Sequence, residues 1–183
     1  MGEPCAEDFC YELLSRGDLP SKLRPPRNSD GKLLPFRLSD APRFDREAPA
    51  RDEALRLHKG GQRLPSFSSL SEPKARAECL RRFAHHELQA IELFAWGVLH
   101  FTELPQALRR GFLLVLEEEQ LHLRLYLERL RAHGEDMSSG PLSDYLWQHR
   151  VRIESADDPP LAFLCALGLT FKQANLDFAL HYR

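Results

Sequence analysis

Residues 83–101 read FAHHELQAIELFAWGVLHF and residues 114–130 read LVLEEEQLHLRLYLERL, and these two stretches decide the fold. Advancing about 100° per residue tests which side chains share a helical face. On the first stretch and its lead-in, Leu80, Phe83, Ile91, Phe94, Val98 and Phe101 fall in one arc of roughly 80°, with Glu87 in its middle. His85, Gln89 and Glu92 point elsewhere, toward the expected solvent side. On the second stretch and its lead-in, Phe112, Val115, Leu116, Leu123, Tyr126, Leu127 and Leu130 share an arc. Glu119 lies inside it and His122 at its edge beside Val115, while Glu117, Glu118, Arg124 and Glu128 take the opposite side. Two carboxylates and an imidazole therefore face the expected core.

Height along the helices gives a second test. Glu87 lies 17 residues before Leu104 and Glu119 lies 15 after it. At about 1.5 Å per residue, each sits about 22–26 Å from the turn, so an antiparallel hairpin brings them level. The first core helix is expected over 74–103. The second starts at Pro105, a residue suited to a first helical turn, and runs to about His133, where Gly134 stops it. A connection over 135–158 follows, with a short helical piece over 143–154. Asp158-Pro159-Pro160 opens a third core helix that runs to Arg183. No strand alternation and no internal repeat is evident, so the class is all-α.

Upstream of Pro73 the texture differs. Eight of the 13 prolines lie between residues 17 and 73, and each fixes φ and removes a donor, so no long helix survives there. Residues 1–73 read as a short helix over 7–15 and an extended Pro-rich arm with one further short helix over 50–58. The arm is expected to wrap over the bundle (74–183) through Leu13, Leu14, Phe36 and Phe67. From Arg16 to Arg63 there are 12 Lys/Arg against 7 Asp/Glu, which a solvated surface explains as well as a binding patch does.

A buried carboxylate without compensation costs several kcal/mol. A buried Glu–His or Glu–Arg pair, or a bundle axis that admits water, would meet that cost. Metal coordination would meet it too. Glu119-x-x-His122 sets an oxygen and a nitrogen ligand one turn apart on one face, and Glu87 adds a third from the facing helix, the pattern of carboxylate-bridged di-iron bundles. An ExxH alone is weak; on the core face, level with a core-face Glu, it is far more specific.

The two stretches above, together with LGLTFKQANLDFALHYR at 167–183, resemble the ferritin-like proteins of the domain-of-unknown-function family numbered 455. The resemblance covers about residues 74–183 and is weaker in the arm. It implies a ferritin-like helical bundle, related to a tRNA-modifying hydroxylase and the rubrerythrins. It further implies a di-metal carboxylate oxidoreductase ancestry with iron or manganese as the metal. Glu87, Glu119 and His122 match the first half of the group's motif; Glu119 would bridge the two metals, with Glu87 and His122 as terminal ligands. The second half needs a carboxylate on the third helix and an ExxH on a fourth. The third helix has a core arc of Leu164, Leu167, Phe171, Ala174, Phe178 and Tyr182, with Asn175 inside it, Lys172 at its border and Asp177 well away. The chain stops at Arg183, so the fourth core helix is expected to be absent, and a second copy or a partner chain to cover the open side. Two non-enzymatic readings stand beside the enzyme: a helical interaction protein with a degenerate metal site, and an RNA-binding accessory protein.

Composition narrows the field further. The net charge of -2 suits neither a nucleic-acid binder nor an acidic tail. No segment reaches the ~18 apolar residues that span a bilayer, and MGEPCAEDFC lacks a secretory leader. Cys5, Cys10, Cys79 and Cys165 form no CxxC pair; the last two sit in apolar stretches as small hydrophobes, and a cytoplasmic location is expected. His85 and His86 are expected on the outer surface, and His100, His133 and His149 in solvent. Trp96 and Trp147 read as packing residues, Gly60-Gly61 as a loop, and no helix-opening GxGxxG or P-loop exists.

Overall fold

The computed structural model describes residues 4–37, 42–58, 63–171, 173, 176, 177 and 180. It is mostly helical, in line with the all-α reading. Helix α1 (Ala6–Ser15) starts at Cys5, whose Sγ accepts from the Asp8 N–H, and buries Phe9, Cys10, Leu13 and Leu14 along one side. Helix α2 (Leu19–Lys22) is a single turn capped by Asp18, whose carboxylate accepts from the Ser21 N–H at 2.8 Å. The short helix expected over 50–58 shrinks to one 3-10 turn, Glu53–Leu55, followed by strand β1 (Leu57–His58).

Two long helices dominate: α3 (Pro73–His100) and α4 (Gln106–Ala132). Pro73 opens α3 and Pro105 precedes the first residue of α4, where a missing N–H costs nothing. Gly134 (φ 72°) ends α4, and the Glu135 N–H returns to the Leu130 carbonyl at 3.3 Å. Beyond it, β2 (Leu142–Ser143) pairs in parallel with β1, Leu57 against Leu142 and His58 against Ser143. This two-residue ladder was not legible as alternation because it is too short to show any. Helix α5 (Tyr145–Glu154) follows, and α6 (Pro159–Phe163) continues into wider π-helical turns over Leu164–Phe171.

Helix α6 is seated by one aromatic ring. Phe163 is fully buried, with its ring centroid 5.1 Å from Phe112, 5.3 Å from Phe101 and 5.6 Å from Phe94. Gly97 makes room for it: a Cβ there would lie 2.8 Å from the Phe163 ring. The chain thus returns to the turn end of the α3–α4 hairpin, where aromatic packing adds its own specific geometry to area burial.

One hydrophobic cluster joins Phe9, Leu13 and Leu14 to Leu88, Leu93 and Trp96 of α3 and Leu116 of α4. Phe36 packs partly buried against it. Phe67 does not: it is 58% exposed, and the one-turn helix Phe67–Ser71 that carries it contains no buried residue.

The larger correction concerns α3. His85, Gln89 and Glu92 do not face water; all three are buried. Glu92 accepts from Arg51 at both carboxylate oxygens (2.9 and 2.5 Å) and lies 2.9 Å from Lys22 Nζ, with Lys22 fully buried. Burial pushes the Glu92 carboxyl up, but Arg51 and Lys22 outweigh it and hold it below the ordinary carboxylate range. Gln89 Oε1 accepts from the Trp147 N–H at 3.1 Å, and Trp147 Nε1 donates to the Glu47 carbonyl at 2.8 Å. Two of the basic residues counted as solvated surface are therefore interior counter-ions, because the N-terminal segment and the 135–158 connection cover this face of α3.

Removing one member of such a buried cluster leaves the others uncompensated. Glu92→Ala should lower unfolding stability by about 3–5 kcal/mol in urea titration; a loss no larger than that of a surface substitution would contradict the structure. A pH effect follows from His85. Burial, then Arg51, His86 and Arg81, push this imidazole well below the ordinary value of 6.5. The folded chain keeps His85 neutral where the unfolded chain takes up a proton. Stability should then fall as pH drops below about 6.5, by at most about 1.4 kcal/mol per unit from this group. Urea midpoints measured across that range should show a shallower decline in His85→Gln than in wild type; equal slopes would remove His85 as the cause.

Candidate metal centre

Helix α3 carries Glu87, and α4 carries Glu119 and His122 one turn apart. The antiparallel hairpin brings all three to one level, as the counting from Leu104 expects. One ligand atom from each lies within 4.8 Å of the other two. His122 Nδ1 is 2.9 Å from Glu119 Oε2 and 3.7 Å from Glu87 Oε2, so the same ring nitrogen faces both carboxylates. The side chains of Glu119 and Glu87 are 3% and 10% exposed, while His122 is 44% exposed. The cluster is thus closed by protein on the carboxylate side and open at the imidazole edge.

Helix geometry accounts for the approach. Residues three apart share a face, so Glu119 and His122 meet without distorting α4. Leu116 and Leu123, both fully buried, hold the seam above and below Glu119. Tyr126, one turn beyond His122, packs its ring 5.9 Å from Phe83, which lies one turn before Glu87 on α3. An aromatic pair thus borders the cluster on the side of the α4 C-terminus.

The donor set is two carboxylates and one imidazole. Hard oxygen with borderline nitrogen suits Fe(II), Mn(II) and Zn(II), and does not by itself choose among them. Two carboxylates so close also repel, and a cation or a proton relieves that repulsion. In the absence of a metal, the Glu119–His122 hydrogen bond satisfies part of the same need.

Other residues named from the sequence fall elsewhere. The side chain of Phe171, together with Lys172, Ala174, Asn175, Phe178 and Tyr182, lies outside the described residues. Asp177 is exposed and accepts from Gln173 Nε2 at 3.0 Å, apart from the cluster. His85 and His86 are not on the outer surface. His85 is buried beside Gln89, with Nδ1 3.4 Å from its amide nitrogen, and His86 is partly buried. His85 is not grouped with Glu87, Glu119 and His122. The signal was present in the run Ala90–Leu99, whose apolar residues occupy every side of the helix and so require burial all round. His100 is exposed but stacked on Trp96 at 4.5 Å. All four cysteines are free; Cys79 is buried as expected, whereas Cys165 is exposed.

No helix among the described residues is long and apolar enough to cross a membrane. No curated protein and no solved structure matches the chain significantly. The sequence profile of one family does match, over residues 16–183, nearly the whole length. On that match the chain belongs to DUF455, a family of proteins of unknown function.

Proposed function

We propose that the chain is a ferritin-like protein derived from a di-metal carboxylate oxidoreductase or hydroxylase, and that Glu87, Glu119 and His122 bind a divalent metal ion. The observation that carries this reading is the meeting of two buried carboxylates from facing helices with an imidazole, all within 4.8 Å. Three protein ligands hold one ion weakly, and iron or manganese in a completed pair would supply redox chemistry toward dioxygen. The chain's own residues bind and orient. Glu87 and Glu119 provide the negative charge, His122 closes the set from the solvent edge, and the apolar walls limit water.

Metal analysis of the purified chain tests the proposal. Wild type should take up at most one ion per chain, with weak affinity, and both Glu119→Ala and His122→Ala should abolish uptake. Thermal melting of the variants should show that the fold survives. Tight uptake of two ions would point to a second half-site and strengthen the enzyme reading. No uptake at any concentration, with Glu119→Ala more stable than wild type, would leave only a buried polar relic.

A second reading, a helical interaction protein, draws on a different observation. Leu114, Leu121 and Leu125 are exposed along α4 beside His122, and Leu169, Leu176 and Leu180 are more exposed still. Apolar stripes of this kind mark association surfaces. The chain should therefore run above monomer mass in light scattering, and Leu121→Glu with Leu125→Glu should shift it toward monomer. A monodisperse monomer at high concentration that binds no hydrophobic dye would sink this reading.

A further inference from the structure

A second concentration of charge lies on the other side of α4 from His122. Arg124 follows His122 by two residues, which turns it about 200° round the helix. With Arg16 at the end of α1 and Arg24 just beyond α2, it lines a cleft of about 480 Å³. Leu13, Leu23, Pro20 and Pro25 give the cleft apolar walls, and Glu12 is the one acidic side chain among its lining residues. Arginines elsewhere in the chain are matched by carboxylates, as Arg51 is by Glu92, Arg109 by Glu7 and Arg27 by Glu117. The cleft is not balanced in that way. Arg124 donates to the Leu23 carbonyl and, among the described residues, pairs with no carboxylate. The Arg16 guanidinium has no hydrogen bond or ion pair among the described residues. Asp18, whose carboxylate feels the charge of Arg16, has both oxygens engaged by Ser21. Arg24 does meet Glu12 at 2.6 Å, but the two side chains are 53% and 48% exposed, so solvent screens the pair. Three cations thus surround one weakly held carboxylate.

The surrounding structure holds these cations in place. Arg24 lies over the Phe9 ring at 5.2 Å, and Gln120 fastens the Lys22 and Arg24 carbonyls to α4 at 2.8 and 2.7 Å. A guanidinium carries five N–H donors in a planar fork. Arg24 and Arg124 each use one nitrogen on an anchor, and Arg16 uses none, so most of the donors remain for a ligand. The group that such forks match is phosphate, which takes two parallel N–H bonds from one arginine. Apolar walls beside a few convergent polar groups suit a carbon skeleton attached to it. We propose that this cleft binds a small organic phosphate, its phosphate among Arg16, Arg24 and Arg124 and its carbon part against Leu13, Leu23 and the two prolines. The site is independent of the metal-binding reading.

Calorimetric titration of the full chain with phenyl phosphate, inorganic phosphate and a short single-stranded oligonucleotide tests the proposal. Phenyl phosphate should bind at one site per chain, and more tightly than inorganic phosphate because it also uses the apolar walls. Arg16 has no contact to lose, so Arg16→Gln should melt near wild type while its affinity for phenyl phosphate falls about ten-fold. Arg124→Gln should weaken binding in the same way. Arg129→Gln removes an exposed arginine of α4 that does not line the cleft, and should change nothing. Equal affinity in wild type and Arg16→Gln, or no saturable binding of either phosphate, would overturn the proposal. Oligonucleotide binding that displaces phenyl phosphate and weakens equally in Arg16→Gln and Arg129→Gln would overturn it too, since that pattern belongs to a nucleic-acid surface.

Discussion

Helix α3 is buried on nearly every side through its middle, and the compensation of its two interior carboxylates organises the rest of the chain. Glu92 and Glu87 sit five residues apart, on different faces of one helix. Neither can be left in a low-dielectric interior without a counter-charge or hydrogen bonds. Glu92 receives two full cations, Lys22 and Arg51, and with them the segment that precedes α3 is drawn onto the helix. Glu87 faces α4, where it meets a second carboxylate and an imidazole. The first arrangement neutralises charge and is complete as a structural device. The second gathers two carboxylates and an imidazole from facing helices within 4.8 Å, and the metal-binding proposal rests on that arrangement.

The same logic recurs at smaller scale around the hairpin. Glu7 is buried beside Arg109 (3.0 Å), while its other oxygen accepts from the Arg37 N–H at 3.0 Å. Gln120 reaches from α4 to the carbonyls of Lys22 and Arg24 at 2.8 and 2.7 Å. Arg27 makes a two-pronged contact with Glu117 on the outer side of α4. Each contact joins residues distant in sequence, and together they tie the proline-rich segment to both long helices. That segment is poor in periodic apolar residues, so polar contacts supply much of its register. The partly exposed Arg27–Glu117 pair adds little energy, since solvent screens it. The buried ones specify position, because a shifted register would strand a charge.

Much of this architecture was written in local pattern. The two long helices, their breaks at Pro105 and Gly134, the short helix at the N-terminus and the third helix opening at Asp158 all follow from periodicity, capping and proline geometry. The level meeting of Glu87, Glu119 and His122 follows from rise per residue once an antiparallel hairpin is assumed. The burial of Phe163 against Gly97 does not follow, because it depends on which way a later helix returns.

What the sequence by itself determined is what a single helix or one hairpin encodes: element type, the face that carries Glu87, and the register that sets it beside Glu119 and His122. Burial of the other face of α3 was signalled by the apolar run 90–99, but tertiary structure alone decided which groups cover His85, Gln89 and Glu92. His85, Gln89 and Glu92 look like solvated residues on a helical wheel, since a wheel records only the angle to the main apolar arc. Whether a second layer covers them depends on where Lys22 at the end of α2, Arg51 in the segment before α3 and Trp147 in α5 are carried by the connections between elements. Long-range closure of that kind leaves no periodic trace in sequence, because its position is set by ion pairs and hydrogen bonds between residues tens of positions apart, with Leu33, Leu34, Leu55 and Trp147 burying apolar surface beside them.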